Sequence, residues 1–398
     1  MTFDWTNALL MGLVVIGNVL FFVGVFNRGH GAGLGKIGLR CIHWAHNLGI
    51  FAGNLAWLVL AGLTGPRLLW GGSWRDLSIW LRVYAIVCGS ALVLWLINLV
   101  LRKLTPRPRQ IVGRTVERRD LESELTQPAR GAGPYRFMQS VPGNEFLHLE
   151  IVRLELLLPR LPPALDGLTI VHLSDLHLIG NVGLPYFQRL FEIARSLSGD
   201  VAVCTGDVID DMELVDWLDP TFGILQAPLG SFFILGNHDW QWGDPATTRN
   251  RLATLGWRDA AAGCTQVEHH GATLAIAGDE RPWMGAEPDW SATPSDAFRL
   301  LLSHTPDNFG LARRNRVDLM LAGHTHGGQV RLPFIGPVYS PSWHGVRFAS
   351  GTFWTDPTLM HVSQGIAGRH PWRWNCLPEL AHITLRAGPP ESTATVSR

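Results

Sequence analysis

Three long uncharged stretches dominate the first hundred residues and fix what that part of the chain can become. Ala8 to Phe26 is nineteen residues without Asp, Glu, Lys or Arg; a second such stretch lies between Arg40 and Arg67, and a third between Arg82 and Arg102. A helix needs about 20 apolar residues to cross a hydrocarbon core. Trp5, Trp44, Trp70, Trp74 and Trp80 lie near the ends of these stretches, where amphipathic rings settle at the headgroup level. The competing reading is a cleavable signal peptide followed by buried core helices. Against it, the stretch from Ala8 lacks a basic leader, and two more stretches follow it. The sequence predicts a transmembrane region over residues 1–102, with helices at about 8–26, 43–65 and 80–101.

Basic residues set the expected orientation. Arg28, Lys36 and Arg40 follow the first span, and Arg102, Lys103, Arg107 and Arg109 follow the third. The N-terminus has no Lys or Arg, while the middle loop carries Arg67 and Arg75. These counts place the N-terminus outside and everything after Arg102 inside, so the chain is expected in a bacterial inner membrane with its later domain cytoplasmic. The 33 basic and 33 acidic residues balance, so no global field favours a nucleic acid polymer. The five cysteines show no CxxC spacing and suggest neither a disulfide framework nor a zinc site.

Residues 103–149 read as a polar, basic linker whose start can lie against anionic headgroups. From about residue 150 short apolar runs alternate with amphipathic helices. Leu168–Leu173, Val201–Cys204, Phe232–Leu235, Thr273–Ala277, Leu300–Leu302 and Leu319–Ala322 read as buried strands. Phe187, Leu190, Phe191, Ala194 and Leu197 recur at helical spacing between the first two. This alternation predicts an α/β domain over 150–386, with its site at the carboxyl ends of the strands. A disordered tail is expected over 387–398.

Polar residues follow those strands at once. The blocks are Ser174-Asp175-Leu176-His177, Gly206-Asp207, Gly236-Asn237-His238-Asp239, Ser303-His304 and Gly323-His324-Thr325-His326. Two carboxylates, one amide and four imidazoles, with His238 beside the amide, suit a binuclear metal site. A bridging carboxylate offsets the repulsion between two cations, and neutral ligands fill the other positions. Such a pair can bind the attacking and departing oxygens of an in-line displacement at phosphorus, and it lowers the pKa of water. One Asp-x-His triplet carries little information; five blocks in order, each ending an apolar run, carry much more.

In these blocks the chain resembles the calcineurin-like metallophosphoesterase superfamily, over roughly residues 150–386. It is closer to a bacterial membrane-associated branch through Ser303-His304-Thr305-Pro306-Asp307, Gly327-Gly328-Gln329 and Asn375-Cys376-Leu377-Pro378-Glu379. The resemblance implies a four-layer α/β/β/α sandwich following the transmembrane helices. It also implies that Asp175, His177 and His326 hold one metal, that Asn237, His304 and His324 hold the other, and that Asp207 bridges them. His238 is then the catalytic proton donor and Asp239 its orienting partner. Branch members often carry Arg where this chain has Gln364 after Ser363, so a phosphate contact at that position is not expected to carry over. Mixed carboxylate, amide and imidazole ligands suit two divalent ions among Mn, Fe, Zn and Mg.

The substrate must be argued from the rim. Leu332-Pro333-Phe334-Ile335-Gly336-Pro337-Val338-Tyr339, Trp343, Phe348, Phe353 and Trp354 follow the His pair, and Trp283, Met284 and Trp290 form a second aromatic loop. They can accept an acyl chain, dip into the interface, or pack the sheet edges. Arg281, Arg347, Arg369 and Arg373 are candidate phosphate binders or surface ion pairs. His43 and His46 read as interfacial hydrogen bonders. The leading expectation is a membrane-anchored hydrolase of a lipid-linked phosphodiester or pyrophosphate, such as UDP-2,3-diacylglucosamine, with membrane lipids as partners. The alternatives are a tethered phosphodiesterase for soluble nucleotide-like substrates and a non-catalytic scaffold.

Overall fold

The computed structural model describes residues 2–388. It divides into two units, Met1–Pro106 and Arg107–Arg398. In the first, α1 (Trp5–His30), α2 (Lys36–Trp57, carried on to Thr64 by a wider π turn) and α3 (Ile79–Leu104) are three helices long and apolar enough to cross a membrane. Small and polar residues join them, as expected where packing cannot rely on expelling water. A Cβ on Gly17 would strike the backbone of Cys88, so α1 and α3 approach closely there. Asn18 of α1 donates to the carbonyl of Gly49 (3.1 Å) and to Asn54 Oδ1 (3.0 Å). At one end of this unit the rings of Phe26, His30 and His43 cluster, with His30 and His43 5.2 Å apart.

The second unit holds two mixed sheets. Its strands are β1 (Ile111–Asp120), β2 (His148–Leu158), β3 (Thr169–Leu173), β4 (Val201–Thr205), β5 (Ser231–Ile234), β6 (Trp257–Asp259), β7 (Thr265–His269), β8 (Ala272–Asp279), β9 (Phe298–Ser303), β10 (Leu319–Ala322), β11 (Arg331–Leu332), β12 (Gly336–Pro337), β13 (Gly351–Thr355), β14 (Thr358–Val362) and β15 (Glu379–Ala387). One sheet runs β1-β2-β15-β3-β4-β5-β6 and the other β13-β14-β10-β9-β8-β7.

Period-2 alternation explains the layering. Val201, Val203, Phe232 and Ile234 point from the first sheet into a core shared with Ile276, Leu300, Leu302, Leu319 and Leu321 of the second. The intervening Ala202, Cys204 and Phe233 face outward onto α4 (Leu184–Ser196), whose Phe187, Leu190, Phe191 and Ala194 cover them. Met320, Ala322 and Leu301 face the other way, toward Phe309 and Ala312. The result is the expected α/β/β/α order.

The polar stretch after the spans is more than a linker. Within it β1 pairs antiparallel with β2, Val116 opposite Val152, and Leu121, Ala129 and Phe146 are buried in the core under α4. The sequence concealed this because β1 is an edge strand. It carries charges on both faces, Arg118 paired with Glu150 at 2.9 Å on one and Glu117 paired with Arg153 at 3.1 Å on the other; charges of this kind keep edges from aggregating. At the other end Ala387, expected to begin the tail, closes β15; residues 389–398 of that tail lie outside the described residues.

Candidate metal centre

Every anticipated block emerges at the carboxyl end of a strand: β3 delivers Asp175 and His177, β4 Asp207, β5 Asn237 and His238, β9 His304, and β10 His324 and His326. The backbone turns there are strained. Asp175, His177, Asp207, His324 and His326 all adopt left-handed φ values between 44° and 69°. Such angles cost non-glycine residues free energy and persist only where surrounding contacts over-determine them. The glycines beside them permit the close approach, since a Cβ on Gly323 would lie 2.5 Å from Asp175 Oδ2.

The seven anticipated ligands come together. Potential ligand atoms of Asp175, His177, Asp207 and His326 lie within 4.8 Å of one another, as do those of Asp207, His304 and His324; Asp207 belongs to both groups. Asn237 Oδ1 lies 3.0 Å from His304 Nε2. His177 Nε2 is 3.1 Å from His326 Nε2, and His324 Nδ1 is 3.2 Å from His304 Nε2.

Proton accounting shows what these contacts lack. His177 Nδ1 faces Asp210 Oδ1 at 2.9 Å, and His304 Nδ1 faces the carbonyl oxygen of Thr205 at 2.7 Å. Each ring spends one N–H on those acceptors, so a neutral ring turns a bare Nε2 lone pair inward. Asp207 Oδ1 accepts the backbone N–H of His238, whereas the buried Oδ2 has no hydrogen bond and lies 3.4 Å from His177 Nε2 and 3.3 Å from His304 Nε2. Acceptors facing acceptors in a buried site call for cations.

Protons answer part of that need. Burial pushes His177 down, but Asp210 and Asp207 overcome it and raise the ring to about 9. His304 behaves alike, with burial outweighed by Asp207, and also rises to about 9. Burial opposes the charge on Asp207, yet His304, His238 and His177 hold it well below the usual carboxylate range. The donor set therefore fits divalent metal ions, which replace protons at such ligands.

Asp239 departs from its expected place. Its carboxylate accepts the backbone N–H groups of Gly236 (2.8 Å), Val208 (3.0 Å) and Ile209 (2.9 Å), pinning the loops that carry Asp207 and Asn237. The residue that holds His238 is Asp210, whose Oδ2 lies 2.9 Å from His238 Nδ1. Sequence reasoning missed Asp210, although its position at the same strand end as Asp207 was a usable signal. Of the four candidate arginines, only Arg369 is bonded to a group of the site, donating from Nη1 to Asp210 Oδ2 at 3.0 Å while it lies over Trp242. Arg281 is engaged by Asp279 and Glu287, Arg347 lies over Phe348, and buried Arg373 donates to the carbonyl of Gln364. Gln364 itself is buried and donates to Glu150. Trp283 is also buried, its ring 4.8 Å from that of His324.

Residues 168–328 match the family model described as calcineurin-like phosphoesterase. Over 236 residues the chain is 31% identical to the uncharacterized metallophosphoesterase YkuE of Bacillus subtilis, an alignment covering 57% of this chain and 82% of that one. The chain belongs to the metallophosphoesterase family. This metallophosphoesterase is also 28% identical to the phosphodiesterase YaeI of Escherichia coli over 228 residues, covering 54% and 81% of the two chains. It is 24% identical over 288 residues to the UDP-2,3-diacylglucosamine pyrophosphatase LpxG of Chlamydia muridarum, covering 58% and 88%. The metallophosphoesterase is thus a metal-dependent phosphoric ester hydrolase carrying three helices fit to cross a membrane.

Proposed function

We propose that this enzyme hydrolyses a phosphodiester or pyrophosphate bond in a lipid-linked substrate, at the cytoplasmic face of a bacterial inner membrane. One observation carries the catalytic part: Asp207 Oδ2, buried and without a hydrogen bond, lies between His177 Nε2 and His304 Nε2. In this reading Asp175, His177 and His326 would hold one divalent ion and Asn237, His304 and His324 the second, with Asp207 placed to serve both. Bound there, the ions supply Lewis acidity toward the phosphoryl oxygens and lower the pKa of water.

The chain's own residues do the rest. Asp210 accepts from Nδ1 of His238, and when both ring nitrogens carry a proton the Nε2–H is the one passed to the departing oxygen, which leaves a neutral ring still donating from Nδ1. Arg369 donates to the same Asp210 Oδ2 that faces His238 and so helps to fix that carboxylate. Asp175 keeps its place through Ser174 Oγ (2.6 Å) and the backbone N–H of His324 (3.0 Å). Trp283 closes one wall and excludes solvent from His304 and His324.

The lipid-linked substrate is supported by the three spans, the exposed aromatic rim and the activity named for the chlamydial relative. Basic residues after α1 and α3 support the cytoplasmic side. The test is full-length protein in nanodiscs, loaded with Mn²⁺, given UDP-2,3-diacylglucosamine and soluble diesters, with His238→Ala as control. Turnover of soluble diesters alone would replace this reading with a membrane-tethered phosphodiesterase.

A further inference from the structure

The turn that carries His326 runs directly into a short hairpin, β11–β12, whose tip is Pro333-Phe334-Ile335. Arg331 pairs with Pro337 and Leu332 with Gly336, and the backbone N–H of Ile335 closes the tip onto the carbonyl of Pro333 at 2.8 Å. At the tip Phe334 is 91% exposed and sits at φ 64°. Both facts cost free energy. A bulky residue disfavours the left-handed region, where Gly or Asn fits without strain, and a solvated phenyl ring forgoes burial. A loop selected only to connect two strands has no reason to combine them.

The tip is not alone. Trp343 is 59% exposed, Tyr339 42%, Trp372 39% and Trp374 38%. Trp374 is tied to the hairpin's base, since Val330 bridges to it and the backbone N–H of Arg331 donates to its carbonyl at 2.9 Å. Acidic charge is depleted on the same segment. Between Asp318 and Glu379 the only acidic residue is Asp356.

We propose that the Pro333–Ile335 tip and Trp343 insert into the headgroup layer of the bilayer, holding the active-site rim at the lipid surface. Trp and Tyr prefer that layer, a segment poor in acidic residues is not repelled by anionic leaflets, and an exposed Phe at a loop tip suits shallow insertion. The chain itself makes a bilayer the available occupant. Three of its helices are long and apolar enough to cross one. The tip binds lipid whichever phosphodiester is the substrate, so the inference stands apart from the substrate assignment.

The test uses full-length protein in nanodiscs of phosphatidylcholine and phosphatidylglycerol, carrying a photocrosslinker at one position at a time. Phe334→p-benzoylphenylalanine and Trp343→p-benzoylphenylalanine are compared with Leu94→p-benzoylphenylalanine in α3 and His270→p-benzoylphenylalanine in the exposed β7–β8 turn. Each variant is first checked for undiminished turnover of a soluble diester, which establishes that it is folded. Lipid adducts at 334 and 343 are expected about tenfold above those at 270 and close to those at 94. Adducts at 334 and 343 no more abundant than at 270 overturn the proposal, as do adducts to a second copy of the chain in place of lipid.

Discussion

Asp210 Oδ2 lies 2.9 Å from Nδ1 of His238, and its other oxygen lies 2.9 Å from Nδ1 of His177. One buried carboxylate thus orients both a proposed ligand and the proposed proton donor. Asp210→Asn is expected to lower kcat by about 10–100-fold, the usual cost of losing an outer partner of a metal ligand. The protein should remain folded and retain most of its metal. Steady-state kinetics with metal analysis by mass spectrometry checks this; unchanged kcat would remove Asp210 from the mechanism.

Asp239→Asn should behave in the opposite manner. Its carboxylate serves three backbone donors, and buried donors left unpaired cost about 1–3 kcal/mol each. Burial first, and then Asp207, push this carboxyl up to about 7, while the three backbone donors favour its charged form. Thermal unfolding should fall by several degrees for a loss of this size, while any residual folded enzyme keeps its turnover per bound metal.

His238→Ala tests the proton donor. Loss of a general acid typically costs about 10²–10⁴-fold in rate. The loss should shrink for diesters with acidic leaving groups such as p-nitrophenol, which depart without a proton. Equal losses for good and poor leaving groups would show that His238 acts otherwise.

Metal removal should make stability newly sensitive to alkali. His177 and His304 ordinarily titrate near 6.5 and rise to about 9 in the folded, metal-free site. A raised folded value means the stabilisation is complete below 6.5 and disappears as pH climbs through 9. Chelated protein should therefore lose stability between pH 6.5 and 9. Metal-loaded protein, whose imidazoles are already deprotonated ligands, should not. Unfolding followed by tryptophan fluorescence at several pH values compares the two, and parallel profiles would count against metal ligation by these rings.

Gly323→Ala probes the close approach at the centre. The new Cβ would strike Ser174 Oγ and lie 2.5 Å from Asp175 Oδ2, so Ser174 and the Asp175 carboxylate that it holds must both move. Metal content and turnover should fall together.

The sequence by itself determined the local and periodic features. The three uncharged stretches could only be apolar helices, and the alternation of Val201–Cys204 and Leu319–Ala322 fixed buried strands. The polar blocks ending those strands named the ligand set, because a ligand must be a specific residue type at a specific strand end. Tertiary structure alone decided what depends on contact across distant segments. That Asp210 rather than Asp239 receives His238 depends on which way two carboxylates turn after their strands. That β1 is a strand depends on β2 offering an edge, since its own charges conceal its alternation. Arg369, 159 residues from Asp210 in sequence, meets it only because the fold closes the late loop over the site. Side-chain identity is written locally, whereas hydrogen-bond partnership follows from the global fold.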